Sequence, residues 1–291
     1  MGLDLHKLEH LVAVAEEGSF TRAAAREHLS QQALSTSIRA LEREVGVDLL
    51  DRSGGAVTLL PSGRALVDDA RVLHGAARSA LARARRIGRG EPEVLRIGHT
   101  PAVTGDEVIA LVHRAHAAQP ELAPQVNQRY PDELARELLD ADLDVGLCRA
   151  MRPPHGLTRS TLRQDRLRVA VAADHPFADR GSVHLTELAA ETIVVWGHPG
   201  RSGYTDLLIE HCRAAGFEPR VRRNPIQGTP PITAVLGTGH AAFVTADPGP
   251  AAGGQVRVLE LQPTREVPLH ALWSAHISSP ARDAFLHAAT H

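Results

Sequence analysis

Cysteine is nearly absent: Cys148 and Cys212 are the two that the 291 residues contain. Two thiols make no disulfide framework, and a reducing cytoplasm is the natural home for such a chain. No apolar run approaches the ~18 residues that span a bilayer, which argues against a membrane protein. A signal peptide is not expected either, since Leu5 to Ala15 is amphipathic and Glu16-Glu17 follows at once. No P-loop and no G-x-G-x-x-G occurs, so no nucleotide cofactor is indicated. Gly200-Arg201-Ser202-Gly203 lacks the G-x-S-x-G spacing of a nucleophile elbow. Histidine is plentiful, at 17 residues, yet His6/His10 and His113/His116 are pairs at helical spacing with no third ligand. Neither catalytic nor metal-binding residues are expected, and a metal-dependent enzyme is the weakest of the readings open.

An excess of positive charge is missing too, the formal net charge being −2. Its distribution is uneven. Residues 1–60 hold six Lys/Arg against nine Asp/Glu, and residues 61–90 hold seven Arg against two Asp, leaving −4 on the other 201. A chain that bound DNA by bulk charge alone would be more basic. If DNA is the partner, a few placed arginines, helix N-termini and dimerisation must supply the phosphate contacts.

What is present is concentrated in Gly18 to Arg52, GSFTRAAAREHLSQQALSTSIRALEREVGVDLLDR. Ser19 is placed to cap one helix with Phe20, Ala23 and Ala24 inward. Ser30 is placed to cap a second, with Leu34, Ile38, Leu41 and Val45 at helical spacing and Gly46 as its stop. Two helices crossing at small residues form a helix-turn-helix. The outer face of the second carries Gln31, Gln32, Ser35, Thr36 and Arg39, side chains suited to base edges and phosphates. Asp48 to Leu60 reads as a hairpin turning at Ser53-Gly54-Gly55, a wing on which Arg52 could meet a phosphate.

The same string resembles the N-terminal domain of LysR-type transcriptional regulators, from Leu5-His6-Lys7-Leu8 through Ala13–Ala24 and Leu34-Ser35 to Ile38–Glu42, Val45-Gly46-Val47 and Leu50-Asp51-Arg52. Fainter echoes, such as DHPFA at 174–178 and CRAAGFEPRV at 212–221, carry the resemblance to the C-terminus. It implies an all-α winged helix-turn-helix domain, a long linker helix and an α/β effector domain of two lobes, similar to periplasmic binding proteins. Some positions depart from the family's usual text. Gln32 stands where Pro is frequent, Thr36 where Arg is frequent, and Glu27 where an apolar residue usually packs.

Three segments follow. Residues 1–60 form the head, opening with a helix that buries Leu8, Leu11, Val12 and Ala15. Residues 61–90 form one linker helix, with Leu66, Ala70, Leu73, Ala77, Ala80, Ala84 and Ile87 as a heptad seam for a partner helix. Residues 91–291 alternate strand and helix, which predicts an α/β unit with a largely parallel sheet. The resemblance divides it into lobe I, 94–164 with 267–291, and lobe II, 165–266.

Ligands of open α/β sheets sit beyond the carboxyl ends of strands, near helix N-termini. Thr100, Pro101 and Ala102 follow the first strand, and Arg149 and Arg201-Ser202 stand at comparable points. Two converging arginines would favour an anionic effector. The resemblance adds Gln128, Gln227-Gly228 and Thr245 to the pocket. The expected function is a sequence-specific regulator of double-stranded DNA, governed by a small anionic or polar metabolite between the lobes. It would work as a dimer through the linker helix and further as a tetramer, with room for a contact with RNA polymerase. An effector-independent or redox-sensing regulator is the alternative.

Overall fold

The computed structural model describes residues 4–54, 56–226 and 228–290. The head comprises α1 (Leu5–Glu17), α2 (Phe20–Arg26) and α3 (Gln31–Val45), followed by β1 (Leu50–Gly54) and β2 (Ala56–Leu59). Each helix starts where a side chain accepts a hydrogen bond from a free amide of the first turn. Asp4 accepts from His6 at 3.0 Å, Ser19 from Arg22 at 3.4 Å and Ser30 from Ala33 at 3.1 Å. Leu8, Leu11, Val14, Ala23, Ala24, Leu34, Ile38 and Leu41 close the core. Val45 departs from the expected stripe and is 41% exposed, because it falls in the last turn beside Gly46. The wing pairs Leu50 with Leu59 and Asp51 with Thr58, while Gly55 of its turn lies outside the described residues.

The linker is α4 (Pro61–Arg89), with Pro61 in its first turn and Gly90 as its left-handed cap. Its expected seam is partly spent within the chain. Ala70, Val67 and, less deeply, Leu66 pack into the head's core. Val72 packs with Leu139 and Leu157 of the following unit. Two glycines allow close approach of other backbone. A Cβ on Gly63 would stand 2.1 Å from the Leu49 carbonyl oxygen, and one on Gly75 would stand 1.8 Å from that of Leu139. Leu73, Leu81 and Ile87 remain exposed at 41%, 57% and 69%.

The remainder begins with β3 (Val94–His99), α5 (Gly105–Ala118), β4 (Ala123–Gln128), α6 (Pro131–Leu139) and β5 (Val145–Cys148). It continues through β6 (Leu157–Ala172), β7 (Ser182–His184), β8 (Thr192–Val195), α7 (Gly203–Ala214) and β9 (Arg220–Arg223). β10 (Ala241–Val244), β11 (Gly249–Ala251), β12 (Val256–Ser274) and α8 (Pro280–Thr290) complete the chain. The strand order is β4-β3-β5-β12-β6-β10-β8-β9, with β7 and β11 paired to β12. The sheet is mixed rather than largely parallel. β3 runs parallel to β4 and β5, and β8 to β9 and β10, but β6 and β12 are antiparallel to each other.

Those two long strands make two lobes out of one sheet. Ala172 pairs with Val256 at one end and Leu157 with Ser274 at the other, with register breaks between Glu260 and Arg265 and again at Leu269 and His270. One core gathers Val169, Val171, Leu185, Ile193, Phe243 and Leu259. A second gathers Leu95, Ile97, Leu111, Val145, Leu269 and Phe285. The lobes therefore meet where β6 and β12 pass between the two cores.

Candidate DNA-reading helix and interlobe cavity

On α3, Gln31, Gln32, Thr36 and Arg39 are exposed and Ser35 is half-buried, while Leu34, Ile38 and Leu41 hold the opposite face in the core. Ser30 is used locally as the helix cap. The Thr36 hydroxyl donates back to the Gln32 carbonyl at 2.8 Å. The turn before α3 is sharp enough to put His28 at φ 56°. An open groove between α3 and the base of the wing is lined by Thr36, Arg39, Glu42, Arg43 and Arg52. Arg52 is less free than expected, since it donates to Glu42 at 2.8 Å and lies 5.7 Å from the Phe20 ring centroid. Of the histidine pairs, His10 shares a 2.7 Å hydrogen bond with Ser37 and His6 lies 3.6 Å from Glu9.

The second site lies between the lobes. A cavity of about 410 Å³ opens between the first turn of α5 on one side and Trp196, Tyr204, Pro230–Ile232 and 243–247 on the other. A much smaller space of about 40 Å³ adjoins it, lined by Thr100, Pro101, Ala102, Tyr130, Arg149, Ser202 and Tyr204. Ala102, Trp196 and Tyr204 line both.

Sequence T-x-x-E builds the first wall. Thr104 caps α5 by accepting from the Glu107 amide, and Glu107 reaches back to the Thr104 amide at 2.8 Å, a reciprocal capping box. The helix therefore begins at Gly105. The same carboxylate accepts from the Thr245 hydroxyl, 3.2 Å away on the other lobe, and from Arg149. Glu107 thus joins helix cap, lobe contact and ion pair.

Arg149 differs from expectation. Its side chain is wholly buried and every terminus is occupied: Ala102 carbonyl at 3.1 Å, Val267 carbonyl at 3.3 Å, Asp165 at 2.6 Å, and Glu107. Burial opposes its charge, but Glu107 and Asp165 outweigh it and hold the guanidinium protonated above the ordinary arginine range. Arg201 is exposed and lines neither space. The two arginines do not converge on an anion. The physical reason is that the fold spends Arg149 on carboxylates and carbonyls at the crossing of the lobes.

Of the other expected pocket residues, Thr245 lines the cavity and Thr100, Pro101 and Ser202 line the small space. Gln128 and Gly228 are exposed and line neither, and Gln227 lies outside the described residues. The Thr100 hydroxyl and the Trp196 indole N–H are buried with no partner among the described residues. Burial pushes the Tyr204 phenol up to about 12, so it stays protonated. Glu107, Asp165, Trp196 and Tyr204 were missed. The capping box was legible as Thr104…Glu107, but nothing local marks a strand-end Trp as a cavity wall.

Two family models match, "Bacterial regulatory helix-turn-helix protein, lysR family" over residues 5–64 and "LysR substrate binding domain" over 88–291. The uncharacterized HTH-type transcriptional regulator YnfL of Escherichia coli is 35% identical over 213 residues, covering 72% of this chain and 71% of that protein. The HTH-type transcriptional regulator XapR of Escherichia coli is 31% identical over 245 residues, covering 84% and 82%. Full-length CbnR in complex with its target DNA superposes with a TM-score of 0.60 at 24% identity, covering 99% of each chain. A full-length OxyR variant from Pseudomonas aeruginosa reaches 0.62 at 21% identity, covering 99% and 95%. Both structures show likeness of fold.

Proposed function

We propose that this chain, which belongs to the LysR-type family of transcriptional regulators, reads its promoter through α3 and answers to a small molecule held in the interlobe cavity. The family supplies the two activities, DNA binding by the head and effector binding by the two-lobed unit. Gln31 and Gln32 are the base readers of this proposal, an amide being able to pair bidentately with adenine, and Arg39 serves a phosphate. Arg52 contributes only by exchanging Glu42 for DNA.

The single observation that carries the effector role is the cavity itself. It lies between lobes that the Thr245–Glu107 hydrogen bond connects at its wall. A ligand there would favour one lobe spacing over another, which is all that coupling requires. The working units of the proposal are a head (1–60), linker (61–90) and effector unit, lobe I being 94–164 with 267–291 and lobe II 165–266. A two-fold operator calls for a dimer, and the exposed Leu73, Leu81 and Ile87 of α4 support pairing through the linker. No helix among the described residues is long and apolar enough to cross a membrane, in keeping with a cytoplasmic protein. A redox switch finds no support, since burial pushes the Cys148 thiol up to about 12 and Cys212 up to about 11, and both stay protonated.

Fluorescence anisotropy with DNA from upstream of the gene, against scrambled DNA at fixed salt, tests the reading role. The chain should prefer the first by orders of magnitude. Gln31→Ala should cost about 1–3 kcal/mol on that DNA and little on the scrambled control. Equal loss on both would remove Gln31 as a base reader, and equal weak binding by the wild type would remove sequence-specific reading of that DNA.

A further inference from the structure

The interlobe cavity of about 410 Å³ is lined, among the described residues, by no Lys, Arg or His side chain. Its polar walls instead include the carboxylates of Asp106, Glu107 and Asp247, and the rest is largely ring and aliphatic surface from Trp196, Tyr204 and Ile232. Resting on the effector site proposed above, we infer that the ligand is a ring-bearing molecule carrying a hydrogen-bond donor, either uncharged or a protonated amine, and that carboxylates are rejected.

The cationic groups nearest this wall are already matched. Arg149 and Arg163 are held by Glu107 and Asp165, while Arg168 lies against Asp247, Glu260 and the Thr245 and Ala246 carbonyls. Taking an anionic ligand out of water here would leave it facing carboxylates, without a free guanidinium to repay its desolvation. The positive end of α5 is no substitute, because Glu107 already occupies it as the reciprocal cap. A protonated amine meets the opposite conditions, with carboxylates to pair and the faces of Trp196 and Tyr204 to lie against. The ring body follows from the apolar walls, which gain by shedding water onto a ligand of that kind.

Three probes of one shape and different charge test the inference: 2-phenylethylamine, 2-phenylethanol and phenylacetate. They are titrated to millimolar concentration against the full chain carrying Trp273→Phe, so that emission reports on Trp196, with thermal unfolding read in parallel. The amine and the alcohol should shift Trp196 emission saturably and raise Tm, and phenylacetate should do neither. Glu107→Gln should weaken the amine several-fold while sparing the alcohol. Because Glu107 also caps α5, Asp106→Asn at an exposed position is made alongside, with the same expected direction. A Trp196 response strongest with phenylacetate overturns the ligand class and leaves the interlobe site standing. A rise in Tm with Trp196 emission unmoved overturns the site. Silence from all three probes in both readouts overturns the class, since the cavity would then refuse the chemistry its walls call for.

Discussion

Arg149 and Thr100 show how far a residue's role depends on what the fold has already given it. Both stand at strand ends of the kind that commonly binds ligands. Each nitrogen of the Arg149 guanidinium is already engaged, whereas the Thr100 hydroxyl is buried in a residue 5% exposed and has no partner among the described residues. Their substitutions should therefore diverge in urea unfolding. Arg149→Leu removes the buried partner of Glu107 and Asp165, leaving them only the half-exposed Arg163, and should cost about 3–5 kcal/mol. Thr100→Val removes a hydroxyl with no partner among the described residues and should be neutral or slightly stabilising. A large loss at Thr100, or a negligible one at Arg149, would contradict this division. Sequence could not separate the two, because pairing at Arg149 depends on Asp165 and Val267, which only the crossing of β6 and β12 brings near.

Among the elements, those with a local signature were legible and those sustained by distant partners were not. The caps at Ser19 and Ser30, the stop at Gly46 and the stripe Leu34-Ile38-Leu41 located the head's helices to within a residue or two. The strand pair β6 and β12 was seen only in part. Residues 157–166, LTRSTLRQDR, alternate with charge on both sides of apolar positions, and their strand is held by β12 rather than by its own pattern. The linker was legible as a helix, but of the seam expected for a partner chain Ala70 and Leu66 pack at home. Gly75 is the sharpest sign of that packing. Gly75→Ala drives a methyl group into the Leu139 carbonyl and should destabilise by roughly 1–3 kcal/mol. Gly88→Ala, on the same helix with nothing within 4 Å of the new Cβ, should instead stabilise by up to about 1 kcal/mol. Thermal melts of the two variants check the contrast; equal effects would mean that α4 does not rest on α6.

At the scale of the whole molecule, three junctions connect parts that must communicate, each held by several of the described residues. Val67 and Ala70 tie the linker to the head core. Gly75, Val72 and the 2.7 Å His155–Asp69 pair tie the linker to lobe I. Glu107 and Thr245 tie lobe I to lobe II. A ligand that changes the last contact acts on lobes joined through α4 to the DNA-reading helix, and the polypeptide needs no other connection for coupling. The net charge of −2 fits this arrangement, since recognition then rests on placed side chains rather than on a basic surface.

If the interlobe cavity governs the DNA head, filling the cavity should alter DNA binding even without knowledge of the effector. Ala246→Phe places a ring in the space beside Thr245, far along the chain from α3. Anisotropy of this variant and the wild type on the same upstream DNA is the measurement. Operator affinity should change by about tenfold, or ~1.4 kcal/mol, with scrambled-DNA binding unchanged. Identical operator affinity in a variant that folds normally would contradict it.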